Sequence, residues 1–277
     1  MEYLRFCCVS PHAPILVPEI ARGEAGRIKS STDSLARLAS EIRETEPETI
    51  VIISPPHVRL ASNDAFVVKS GERMEGSLES FPSVSVSYEN DTELIDALVE
   101  SAHSVGVKVV KEAGVRERDW GALVPLHLLA AGPYKLVVMN VAPYLPYQDH
   151  YRLGVSLQRA IEGLSRRTVF IASADLSHRL TKDAPYPYNP RGKEFDAAMV
   201  EIIRSGEFAR LFELDPQLID AAGEDCVWSV ATLAGTMDGH SVSSEVLSYE
   251  GPFGVGYLVA RVVPGEPDEG RALQRGL

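Results

Sequence analysis

The sequence predicts an α/β fold, a three-layer α/β/α sandwich around a mixed, largely parallel central sheet. Short β-branched runs alternate with amphipathic helical segments along the chain. Several of those runs stop at a proline or a polar turn, the ending expected just beyond the carboxyl end of a buried strand. The last two runs face each other across Gly251-Pro252-Phe253-Gly254 as an antiparallel pair, which makes the sheet mixed.

Taken in order, residues 4–9 read as a strand, followed by a loop bearing Pro11, Pro14 and Pro18. Thr32 or Asp33 is placed to cap a helix to about residue 44, with Leu35, Leu38, Ala39 and Ile42 as its apolar stripe. A strand over 49–53 follows. Residues 65–69 and 84–88 alternate as the strands of a β-rich flank. Asn90 or Asp91 caps a helix to residue 105, Gly106 ends it, and 108–110 is a short strand. After a charged loop, 122–131 reads as a helix with Pro125 in its first turn, and 136–141 as a strong strand. A long helix over 147–164 leads to a strand over 168–172. The loop between His178 and Asn189, with two prolines and two tyrosines, is long enough to be a lid or pocket wall. Helices over 191–204, 208–214 and 224–237 precede the closing strands, 242–249 and 256–263. Residues 1–263 are expected to form a single catalytic domain and 264–277 a flexible, Gly-rich tail.

Composition narrows the partners. A net charge of −12 without a Lys/Arg-rich block argues against nucleic-acid binding. Three cysteines, two of them adjacent in a strand, build no disulfide framework. There is no basic and then apolar leader, and no apolar run approaches the ~20 residues needed to span a bilayer, so a cytoplasmic protein without membrane partners is expected. Self-association into a homo-oligomer is left open.

Two stretches echo each other, Ser10-Pro11-His12-Ala13-Pro14 and Ser54-Pro55-Pro56-His57, and each sets a histidine just past a strand end. Two further polar segments follow apolar runs, Asp175-Leu176-Ser177-His178 and Tyr249-Glu250-Gly251-Pro252. In open α/β sheets that rim is where ligands bind. His12, His57 and Glu250 supply two imidazoles and one carboxylate, a set that leaves positions open on a divalent metal and suits Fe(II), with Zn or Mn as other candidates. Any one of these histidines, taken alone, reads equally well as a hydrogen-bonded rim or core residue; their shared placement favours ligands. His178 is the candidate for moving protons, since an imidazole titrates near neutrality. Asp175 stands to orient it or to cap a turn. Arg59 and Arg179, near the proposed site histidines, are candidates for a substrate carboxylate. His103, His150 and His240 read as solvated. No G-x-S-x-G, H-E-x-x-H or phosphate-loop motif occurs.

Together with the segment Gly251 to Tyr257, these four motifs resemble the class III extradiol ring-cleavage dioxygenases, the LigB-type catalytic subunit, in the family's order and over nearly the whole chain. The resemblance implies Fe(II) on His12, His57 and Glu250, a small catechol-like diol and O2 as substrates, and His178 assisting proton transfer. Family members commonly carry Asp-His-Gly before a Val-Pro-Leu helix, whereas this chain has Asp119-Trp120-Gly121. Trp120 is therefore expected to line the substrate pocket, where an indole offers a stacking face but no titrating group. The related Memo family supplies the alternative, a non-enzymatic metal- or protein-binding module of the same fold.

Overall fold

A computed structural model of the protein describes residues 1–58, 60–113 and 116–273. The chain runs β1 (Leu4–Ser10), α1 (Pro18–Ala21), α2 (Lys29–Glu44), β2 (Thr49–Ser54), β3 (Phe66–Lys69), β4 (Arg73–Leu78) and β5 (Phe81–Glu89). It continues with α3 (Thr92–Ser104), β6 (Val109–Glu112), α4 (Trp120–Leu129), β7 (Lys135–Asn140), α5 (Tyr147–Leu164) and β8 (Thr168–Ser173). Last come α6 (Arg191–Ser205), α7 (Pro216–Ala222), α8 (Val227–Thr236), β9 (His240–Glu250) and β10 (Tyr257–Pro267). Among the described residues the main sheet has eight strands in the order β6-β3-β7-β2-β8-β1-β10-β9. Its centre, β7-β2-β8-β1, is parallel, and β10 and β9 close one side antiparallel.

Period-2 alternation along the central strands sorts side chains onto two cores. Cys7, Val9, Val51, Ile53, Phe170 and Ala172 face the layer of α3, α5, α6 and α8. Phe6, Cys8, Ile50, Ile52, Val169 and Ile171 face α2, α4 and the β4-β5 hairpin. Burial on both faces is why these strands read as continuous apolar runs. The fold is therefore the three-layer sandwich that the sequence predicts, with the hairpin taking part of one helical layer.

Several elements differ from expectation. Residues 66–69 join the main sheet rather than a flank, pairing in parallel with β6. The expected helix over 208–214 is a tight 3-10 segment, Phe208–Glu213, and α7 follows it, started by Pro216 and capped by Asp215. Helix α8 begins at Val227, so Glu224 and Asp225 lie in the turn before it. Strand β10 continues to Pro267, which pairs with His240, so the expected tail begins as sheet; residues 274–277 lie outside the described residues. His150, expected in solvent, is fully buried. Helices α5 and α8 touch through glycine: a Cβ on Gly154 would sit 2.1 Å from the Thr232 carbonyl, and one on Gly235 would sit 2.0 Å from that of Tyr151. This close approach packs the second half of α8 on α5, while the turn before α8 lies at the strand ends, where Asp225 accepts the Asp175 backbone N–H.

Candidate metal centre

Register aligns the rim. Val9 pairs with Ala172, and Ala172 pairs with Ile53, so β1, β8 and β2 end in one row. Just beyond it, His12 and His57 approach with ring centroids 4.8 Å apart. The carboxylate that meets them comes from Asp225. Its Oδ2 lies 3.3 Å from His12 Nε2, 3.5 Å from His57 Nε2 and 3.9 Å from His178 Nε2. Its Oδ1 accepts the Asp175 backbone N–H at 3.0 Å, which aims Oδ2 into the site.

The outer nitrogen of each imidazole is engaged, and this fixes which nitrogen faces inward. His57 Nδ1 donates to Asp119 Oδ1 at 2.9 Å, and His178 Nδ1 donates to the Gly223 carbonyl at 2.9 Å. His12 Nδ1 lies 3.0 Å from the Ser173 hydroxyl. That hydroxyl spends its one hydrogen on the Gly121 carbonyl, so it accepts from His12. The Gly121 carbonyl is available because Pro125, one turn later in α4, has no N–H to give it. With the rings neutral, all three Nε2 atoms would therefore present lone pairs toward a single carboxylate oxygen. His12 Nε2 is buried without a hydrogen-bond partner. Facing lone pairs on nitrogen and carboxylate repel unless a proton or a cation lies between them. His12, His57 and Asp225 offer ligand atoms within 4.8 Å of one another, a donor set that fits a divalent metal.

Protonation follows the same electrostatics. Burial alone would depress the His57 imidazole, but hydrogen bonds to Asp119 and Asp225 override it and raise its pKa to about 9. His12 is likewise raised, because Asp175 and Asp225 outweigh its burial. Asp225 is held well below the ordinary carboxylate range despite its burial, chiefly by His12 and His57. Asp175 is pushed up by burial and by Asp225 beside it. Without metal, then, the site is an imidazolium and carboxylate cluster, the charge pattern that a bound cation replaces.

Asp119 holds His57 from behind. It caps α4 through the Gly121 N–H and accepts both the backbone N–H and Nδ1–H of His57. Trp120 packs on His57 with centroids 4.6 Å apart and is 38% exposed, which makes it a wall of the cleft rather than a buried anchor. Asp175 lines the same cleft and holds the His12 backbone N–H at 3.0 Å. Glu250 takes another role: its Oε1 accepts the Ser31 N–H at 2.8 Å in the first turn of α2, a helix start with no side-chain cap of its own. Arg179 borders a neighbouring chamber, and Arg59 lies outside the described residues. Sequence reasoning missed Asp225, Glu224 and Ser173. Gly223-Glu224-Asp225-Cys226 before an apolar run looks like an ordinary acidic helix start, and Glu224 does accept the Cys226 and Val227 N–H groups there.

The cluster floors a cleft of about 790 Å³ whose walls include Ile15, Pro56, Trp120, Trp228, Phe253 and Tyr257. From residue 6 to residue 260 the sequence matches the family described as the catalytic LigB subunit of aromatic ring-opening dioxygenase. The chain belongs to this family. Among curated relatives of this LigB chain, Protein CA_C1420 of Clostridium acetobutylicum is 35% identical over 91% of the chain, which spans 56% of that protein's length. The 2-aminophenol 1,6-dioxygenase beta subunit of a Pseudomonas species is 24% identical over 77% of the chain and 78% of its own length. The crystal structure of uncharacterized protein JW3007 from Escherichia coli K12 shares the fold, with a TM-score of 0.63 at 16% identity, covering 94% of this chain and 99% of that one. No described helix is long and apolar enough to cross a membrane.

Proposed function

We propose that this LigB-family chain is a non-haem Fe(II) dioxygenase that opens a catechol-like or aminophenol-like aromatic ring next to its paired heteroatoms. The observation that carries the reading is the convergence of three Nδ1-anchored imidazoles on Asp225 Oδ2 at the floor of a largely apolar cleft. His12, His57 and Asp225 would hold the metal. Ferrous iron there supplies open coordination positions and the redox chemistry that brings dioxygen to an electron-rich ring.

The chain's own residues supply the rest. Trp120, Phe253 and Tyr257 line a cleft whose flat apolar surfaces match an aromatic ring. His178 Nε2, beside the metal ligands, is placed to take a proton from a ring hydroxyl and return it later, while Gly223 keeps its outer nitrogen protonated. Burial, reinforced by Asp175 and Glu250, pushes the Tyr257 phenol upward, so it remains a hydrogen-bond donor in the cleft. The Pseudomonas relative's name supports an aromatic substrate with adjacent oxygen and nitrogen, and the word subunit in it supports assembly with further chains.

The test is oxygen uptake by protein reconstituted anaerobically with Fe(II), over a panel of catechols and 2-aminophenols, with ring-opened products followed by absorbance. Substrate-dependent uptake that vanishes in Asp225→Asn is the expected result. Stoichiometric iron with no turnover across the panel overturns the reading in favour of a Memo-like binding module.

A further inference from the structure

Lys69 ends β3 with 5% of its surface exposed, and Glu117, in the loop before α4, is 2% exposed. Neither charge reaches bulk water, so each needs a partner inside the protein. Lys69 Nζ donates to Oε2 of Glu112, its register partner on β6, at 2.5 Å and lies 3.8 Å from Glu117 Oε2. One ammonium thus stands between two carboxylates. Glu117 Oε2 has no hydrogen-bond partner among the described residues, so Lys69 is the cation that offsets it.

The other oxygen of Glu117 acts on the loop that leads to the metal site. Its Oε1 accepts the backbone N–H groups of Arg118 and Asp119, both at 2.9 Å. Those two bonds fix the backbone from which the Asp119 carboxylate reaches His57 N, His57 Nδ1 and Gly121 N. The main chain of Glu117 is in turn clamped by β4: its N–H donates to the Glu75 carbonyl at 2.9 Å, and its carbonyl accepts the Ser77 N–H at 3.3 Å. Gly76 permits that contact, because a Cβ there would sit 2.8 Å from the Glu117 carbonyl oxygen.

We infer that Lys69 and Glu117 are positioning residues for the metal centre: the ammonium keeps the Glu117 carboxylate in place, Glu117 holds the backbone of residues 118 and 119, and Asp119 then holds the His57 ring with Nε2 inward. This rests on the metal site proposed above, not on ring opening. Removing only the ammonium leaves Glu112 and Glu117 as like charges around a vacated position, which drives Glu117 off the loop. Removing the Glu117 charge as well, by glutamine, abolishes that repulsion and keeps an oxygen for the two N–H groups. The double variant Lys69→Met/Glu117→Gln therefore stays closer to the natural protein than Lys69→Met alone, the reverse of what additive loss of packing would give.

The test has two readouts: the affinity for Co(II) alone, and, in the metal-free protein, the downfield proton resonance of His57 Nδ1–H bonded to Asp119, assigned by its loss in His57→Gln. Lys69→Met and Glu117→Ala are each expected to weaken Co(II) binding about 10-fold or more and to shift or broaden that resonance, and the double variant to recover most of both. Glu117→Ala leaves Lys69 paired with Glu112, so it carries the comparison, against Glu117→Gln as the near-natural control, if Lys69→Met does not fold. Arg166→Gln breaks a buried pair with Asp91, whose carboxylate also holds Thr49 at the opposite, amino end of β2; it should lower the thermal midpoint and move neither readout. The inference is overturned if Lys69→Met and Glu117→Ala leave both readouts unchanged, if Arg166→Gln moves them as far, or if the double variant is no better than Lys69→Met. If the natural protein takes up no Co(II) while the resonance responds as expected, the metal reading falls and the hold of Lys69 and Glu117 on His57 stands.

Discussion

Gly121 passes so close to His57 that a Cβ built on it would lie 3.0 Å from Nδ1, with the Pro55 carbonyl at 2.9 Å and Asp119 Oδ1 at 3.2 Å. The missing side chain is what lets Asp119 reach the imidazole. Gly121→Ala is expected to keep the fold, because the site is helical and alanine favours helix, while pushing Asp119 off His57. Metal affinity should fall about 10- to 100-fold, the usual cost of disturbing a partner behind a ligand. Titration with Fe(II) or Zn(II) beside a thermal melt checks both halves.

Asp225 and Glu250 make opposite predictions. Asp225→Asn is expected to lower metal affinity by more than about 100-fold, exceeding the effect of disturbing a residue that only orients a ligand. Glu250→Gln should leave metal stoichiometry intact and cost about 0.5–1 kcal/mol, since it removes only a charge at the start of α2. Metal analysis of the two purified variants separates them; loss of metal in Glu250→Gln would return that carboxylate to the ligand set.

His178→Ala should retain metal and lower turnover about 10²- to 10⁴-fold, the range for a lost general acid or base. Its inward nitrogen is 3.9 Å from Asp225 Oδ2 and contributes no structural bond there, so the loss of stability should be confined to the Nδ1–H bond to the Gly223 carbonyl, about 1 kcal/mol. Equal loss of metal and activity would make His178 a ligand.

His150 gives a pH dependence independent of the metal. Burial lowers its pKa from 6.5 to about 4, and its Nδ1 donates to the Pro146 carbonyl while Nε2 accepts the Ala142 N–H. Between those values the unfolded chain binds the proton and the folded one does not, so stability rises with pH. The contribution is complete above pH 6.5 and is lost as pH falls toward 4, at most about 3 kcal/mol. Urea unfolding at pH 7.5 and 5.0 should show this loss, and His150→Asn, though less stable throughout, should show a flatter profile.

His12 and His57 are legible in the sequence because an apolar run cut by proline marks a strand end, and β1 and β2 lie one strand apart across β8. Glu250 carries a similar mark. Strand β9 even runs in the same direction as β1, but β10 lies between them, placing Glu250 two strand spacings, roughly 10 Å, from β1 at the sheet edge. Strand order is set by tertiary pairing, which no local pattern records. Asp225 is hidden for a related reason: its carboxylate reaches the rim from the turn before α8, and the packing of α8 on α5 at Gly154 and Gly235 is tertiary too. Pro125 reads from sequence as a helix start, whereas its missing N–H frees the carbonyl that orients Ser173 and, through it, His12.

The close fit of Gly154 and Gly235 also bears on how the protein is made. A chain emerging from the ribosome has His12 and His57 long before Asp225, so a product stopped ahead of residue 225 would carry both imidazoles, with Asp119 and Asp175 beside them, but not the carboxylate that meets them at the rim. In the metal site proposed above, high-affinity capture would wait for the C-terminal half to dock, and each ion bound afterwards would shift the whole chain toward the native state by mass action. Occupancy would then be a readout of complete assembly: conditions that merely loosen α8 against α5 should release metal before the central sheet unfolds.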